Sequence, residues 1–185
     1  VSFIPVKDGD AFSYGKYSLK AVLTPGHTPG HACLYDQENR VLFSGDHILF
    51  DITPNISYWM NHESLGEYLE SLDRVYALEV NLALPGHRNY GKDVRKRILE
   101  IKEHHERRLK EILNALKEGP KNAWQIARQI SWDLKYSDWN QIAPLQKWFI
   151  MDETIAHLHH LGKRGTISRE LTNEGIKWGL KDGSV

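Results

Sequence analysis

The chain has one cysteine and two methionines in 185 residues, and it carries no net charge. The lone thiol, Cys33, excludes an internal disulfide and fits a reducing, cytoplasmic setting. No apolar run approaches the roughly 20 residues that a membrane-spanning helix needs, so no membrane partner is expected. With 41% hydrophobic and 26% charged residues, the composition is that of a globular chain rather than a disordered one. The zero charge conceals a split. Residues 1–91 hold six Lys/Arg against eleven Asp/Glu, a balance of −5, while residues 92–185 hold eighteen against thirteen, a balance of +5. Such asymmetry suggests two modules and, in the second, a moderate attraction for an anionic partner. Histidine is missing from the first 26 residues, although the chain contains ten.

Where histidine does occur, it occurs in a pattern. Residues 24–31 read Thr-Pro-Gly-His-Thr-Pro-Gly-His, residues 44–47 Ser-Gly-Asp-His, and residues 84–87 Leu-Pro-Gly-His. Each cluster ends an apolar run with a Gly/Pro turn that presents a side chain able to bind metal. Neutral imidazole and carboxylate are donors that zinc accepts well. One such cluster could simply cap a turn; three in this order point to a chemical site along one edge of a sheet. Cys33 alternates with Leu34 and Tyr35 as in a strand, which suits a buried structural thiol better than a nucleophile.

The surrounding periodicities supply a frame. Residues 19–23, 31–35, 40–43 and 81–84 read as strands, the second and third forming a hairpin around 36–39. Leu65, Leu69, Leu72 and Tyr76 recur at helical steps. Asp93 to Glu118 is a long helix with Val94, Ile98, Ile101, His105, Leu109, Ile112 and Leu116 on one stripe. Asn122 and Gln125 resemble a capping box that opens a short helix. A further helix over 145–161 should turn Trp148, Met151, Ile155 and Leu158 inward, and a hairpin follows around Thr172-Asn173-Glu174-Gly175. Residues 131–144, with Trp132, Tyr136 and Trp139, fit neither period.

The three histidine and aspartate clusters resemble the second half of the metallo-β-lactamase superfamily, glyoxalase II-like hydrolases included. That resemblance implies an α/β fold: the C-terminal half of an αββα sandwich over residues 1–92, then a mainly helical winged-helix domain over residues 93–185. It also implies metal ligands. His27 would hold one ion, His87 a second, and Asp46 would bridge them, with His31 orienting the ligands. The cofactor would be two zinc ions in an intact enzyme, manganese or iron being alternatives, and water would be the nucleophile. The family's His-x-His-x-Asp-His element, which supplies the remaining ligands, is missing. The chain therefore reads as the C-terminal portion of a longer hydrolase, inactive by itself.

The implied substrate is a small ester or thioester, with the winged helix as a lid. The alternative is an endoribonuclease whose winged helix grips RNA. Recognition helices usually present several cations, but residues 145–161 offer Lys147 against Asp152 and Glu153, which favours the lid. A half sandwich should leave Leu19, Ala21, Leu23 and Leu42 uncovered. Pairing as a homodimer, or with the missing N-terminal half, is the expected consequence.

Overall fold

In a computed structural model of the chain, residues 3–133 and 138–181 are described. Two compact units form, one from residues up to 54 together with 66–102, the other from 55–65 together with the residues from 103 onward.

The first unit is built on five strands, β1 (Ala11–Tyr14), β2 (Tyr17–Leu23), β3 (Ala32–Asp36), β4 (Val41–Gly45) and β5 (Leu82–Pro85), which lie side by side in chain order. The first four pair antiparallel through short turns, and β5 joins β4 in parallel after helix α1 (Ser64–Tyr76). A parallel neighbour needs such a crossover, because a tight turn cannot bring the chain back in the same direction.

Side chains alternate between the two faces of the sheet. The register Val22↔Cys33, Tyr35↔Leu42 and Leu42↔Ala83 puts these residues on one face, and all are buried. The opposite face, fixed by Phe12↔Leu19, Ala21↔Leu34 and Leu34↔Phe43, is apolar too but wetter, with Phe12 43% and Phe43 41% exposed. The expected uncovered set therefore needs correction. Ala21 and Leu42 are completely buried, Leu42 because it points to the covered face; the exposed apolar groups are Phe12, Tyr14, Tyr17 and Phe43.

Helix α1 is also turned relative to expectation. Leu65, Tyr68, Leu72 and Val75 are buried, whereas Tyr76 is exposed. Tyr68 takes the inward place because its hydroxyl donates to the His47 carbonyl at 2.7 Å, so the ring can be buried with its polar end satisfied.

Helix α2 (Val94–Leu116) contributes residues to both units, and every position of its expected stripe is buried. In the second unit follow α3 (Ala123–Ala127), a 3-10 turn (Trp139–Gln141), α4 (Pro144–Lys163) and the hairpin β6 (Ile167–Thr172) with β7 (Gly175–Leu180). The Asn122–Gln125 capping box is present in both directions. Tyr136 lies outside the described residues. In α4 the inward stripe is Ile150, Thr154, His157, Leu158 and Leu161, whereas Trp148 is 57% exposed. The polar members Thr154 and His157 hold inward places because each donates to a backbone carbonyl one turn earlier, Thr154 to Ile150 and His157 to Glu153. Among the described residues, no helix is long and apolar enough to cross a membrane.

Candidate metal centre

Strand direction brings the three clusters together. β2, β4 and β5 run the same way, so the loops leaving them open on the same edge of the sheet. His27 follows β2, Asp46 follows β4 and His87 follows β5. The Gly86 N–H donates to the Gly45 carbonyl at 2.8 Å and draws the last two loops together. Asp46 then stands between the two histidines. Its Oδ1 lies 2.6 Å from His87 Nδ1 and its Oδ2 3.8 Å from His27 Nε2. Each carboxylate oxygen thus serves one imidazole. The side chains are 25% (His27), 28% (Asp46) and 68% (His87) exposed, so the group opens to solvent chiefly on the His87 side.

The backbone is shaped for this approach. Gly45 has φ +50, and a Cβ there would sit 2.7 Å from His31 Nε2. At Gly26, with φ +135, a Cβ would collide with the Tyr68 backbone. Both positions need glycine for conformation and for space.

His31 lies beside the group rather than in it. Its Nδ1 is hydrogen-bonded to Thr24 Oγ1 at 2.7 Å, and Thr24 in turn contacts the Cys33 thiol at 3.4 Å. Burial, and then the charge of His27, lowers the His31 pKa, with Asp46 opposing. His47 is closed off from solvent, its ring 5.9 Å from that of His31. It is fully buried edge-on against Tyr68, and burial brings its pKa down to about 3. Cys33 is buried, which pushes its thiol up to about 12. It is therefore a packing residue at any physiological pH.

Asp51 has a role that its sequence context does not disclose. It accepts from both the backbone N–H and the side-chain amide of Asn89, at 3.0 and 3.1 Å, and so fastens the loop that carries His87. Its partner is 38 residues distant, and no local pattern reveals such a pairing.

A second group of possible donors, His104, His105 and Glu153, belongs to the second unit, with ligand atoms within 4.8 Å of one another. Its hydrogen bonds describe a different object. His157 Nδ1 donates to the Glu153 carbonyl at 2.8 Å, so neutral His157 presents Nε2 as acceptor to the His105 Nδ1–H at 3.1 Å. Burial lowers both pKa values, that of His157 to about 4. Arg108 holds a fixed positive charge 3.2 Å from the Glu153 carboxylate, where it would oppose a metal ion. This is a buried polar network built around the Arg108–Glu153 pair, and the donor set around Asp46 suits a cation better.

Comparison with known proteins agrees with the residue pattern. Residues 3–87 match the family model described as metallo-beta-lactamase superfamily, and residues 109–178 match the metallo-beta-lactamase-like C-terminal domain. The beta-lactamase-like protein 2 homolog of Caenorhabditis elegans is 30% identical over 159 residues, covering 83% of this chain and 52% of that protein. The acyl-coenzyme A thioesterase MBLAC2 of Gallus gallus is 34% identical over 88 residues, 45% of this chain and 31% of its own. The crystal structure of a metallo-beta-lactamase family protein from Thermus thermophilus superposes on 98% of this chain and 55% of that one, with TM-score 0.81 and 32% identity. The chain thus spans about half the length, or less, of the proteins it resembles. On the fold, the sheet-edge clusters and these matches together, the chain belongs to the metallo-beta-lactamase superfamily and carries that superfamily's C-terminal domain.

Proposed function

We propose that this chain is part of a metal-dependent hydrolase acting on an ester or thioester. The observation that carries the reading is Asp46, which offers one carboxylate oxygen to each of two flanking histidines. In the intact enzyme His27 with Asp46 would hold one divalent ion and His87 with Asp46 a second, zinc being the ion that imidazole and carboxylate suit. Ions held there supply Lewis acidity and make water a competent nucleophile at neutral pH. The protein's part is positioning. Asp46 fixes the spacing, His31 is held by Thr24 beside Gly45, and Asp51 steadies the His87 loop through Asn89. The thioesterase among the relatives supports the substrate class.

The C-terminal domain we read as a winged-helix lid for that substrate. The exposed side chains at the start of α4 are Leu145, Trp148 and Phe149 rather than a row of cations, which supports packing on an apolar substrate over gripping RNA. With three donors in place of a full set, the chain alone is expected to be inactive. The test is thiol release from an acyl thioester in excess zinc. The chain alone should release none above buffer, and fusion to a half-domain bearing His-x-His-x-Asp-His should restore a release that Asp46→Asn removes. Release that survives Asp46→Asn contradicts the reading.

A further inference from the structure

The second unit contains a cleft of about 330 Å³ that shares no residue with the metal centre. It forms where the apolar face of the terminal hairpin outruns its cover. Ile167, Arg169 and Leu171 on β6 pair with Leu180, Trp178 and Ile176 on β7, so all six side chains share one face. Along that face exposure rises from Ile167 at 1% and Trp178 at 7% to Ile176 at 37% and Leu171 at 81%. Where cover fails, the cleft opens. Its other walls are Ile155 and His159, one turn apart on α4, with Ala123 and Tyr58. Tyr58 is held in place at two points. Its backbone N–H donates to Asp152 Oδ1 at 3.1 Å, and its ring packs edge-on against His159 at 5.3 Å.

The lining is mainly apolar, with the Arg169 guanidinium as its cation and the His159 imidazole and Tyr58 hydroxyl as further polar groups. Arg169 stands over the Trp178 ring, 5.9 Å from its centroid, and among the described residues it pairs with no carboxylate. Burial, and then the charge of Lys163, lowers the His159 pKa; Arg169 and His160 add to this and Glu63 opposes it. Glu63 itself is engaged by His160 Nδ1 at 2.9 Å. The cleft thus combines an apolar bed with unmatched positive charge at one wall. Ligand pockets commonly have this composition, in which apolar surface supplies affinity and a few polar groups fix orientation.

We propose that this cleft binds an amphipathic carboxylate, an acyl or aryl chain lying on Ile155, Ile176 and Trp178 with its carboxylate at Arg169 and His159. The acids released from esters and thioesters belong to this class, but the proposal uses no step of the hydrolase reading and requires no metal.

The experiment is titration of the full chain with octanoate, 1-octanol and acetate in the presence of EDTA, followed by calorimetry and by NMR of the indole and imidazole protons. Octanoate should bind in the sub-millimolar range, move the Trp178 and His159 signals, and raise the His159 pKa. Octanol, which lacks the charge, should bind about tenfold more weakly, as expected for one lost charge-assisted hydrogen bond, and acetate should not bind measurably. Arg169→Gln should bring octanoate down to the level of octanol, while Ile176→Glu, at an exposed position, should remove both without unfolding the chain. Equal affinity for octanoate and octanol, an unchanged preference in Arg169→Gln, shifts confined to other residues, or no binding would each overturn the proposal.

Discussion

Replacing Gly45 by alanine should damage the metal edge through a specific neighbour. Gly45 has φ +50, a conformation that costs an L side chain about 1–2 kcal/mol. The new methyl would lie 2.7 Å from His31 Nε2, so the ring must move. That ring is tied to Thr24 Oγ1 at 2.7 Å, and breaking such a bond costs about 0.5–1.5 kcal/mol. Gly45→Ala is therefore expected to lose about 2–3 kcal/mol of stability. His31→Ala alone should lose about 1 kcal/mol, because only the hydrogen bond goes. In the double variant the clash has vanished, and the total should fall short of the sum by about 1 kcal/mol. Urea unfolding followed by tryptophan fluorescence measures all three. Strict additivity would refute the claim that His31 is what Gly45 makes room for.

Other consequences follow from the same structure. Neutral His105 and His157 have folded pKa values below their unfolded value of about 6.5. Their contribution is therefore complete above pH 6.5 and is lost as pH falls toward about 4, so urea midpoints should drop through that window and drop less in His157→Gln; a flat profile contradicts this. Cys33, fully buried with its thiol pushed up to about 12, should resist a thiol reagent at pH 8 until urea unfolds the chain, and prompt labelling of the folded protein would show otherwise. The exposed Phe12, Tyr14, Tyr17 and Phe43 on one sheet face should drive self-association, seen in light scattering as mass above 21.4 kDa that Phe43→Lys reduces; a stable monomer at high concentration would mean that this face needs no partner.

What could be read from the sequence was local. The turns that present His27, Asp46 and His87 are written in consecutive Gly, Pro and donor residues, and their convergence follows once β2, β4 and β5 run the same way. The α2 stripe was equally legible, because about six turns of one period leave little freedom of phase. The other helices are another matter. In α1 Tyr68 and Leu69 are both apolar enough to face inward, and the choice depends on a hydrogen bond to His47, 21 residues earlier. In α4 a histidine and a threonine take inward places while Trp148 faces out. The Asp51 clasp on Asn89 and the Arg108–Glu153 pair join residues 38 and 45 apart, and periodicity says nothing about pairings at that range.

Zinc titration of the purified chain and of Asp46→Ala, by calorimetry at neutral pH, addresses the central claim most directly. With two histidines sharing one carboxylate, the chain should bind at most one ion, with micromolar or weaker affinity, and Asp46→Ala should weaken it further. Two tightly held ions per chain, or binding indifferent to Asp46→Ala, would contradict the account.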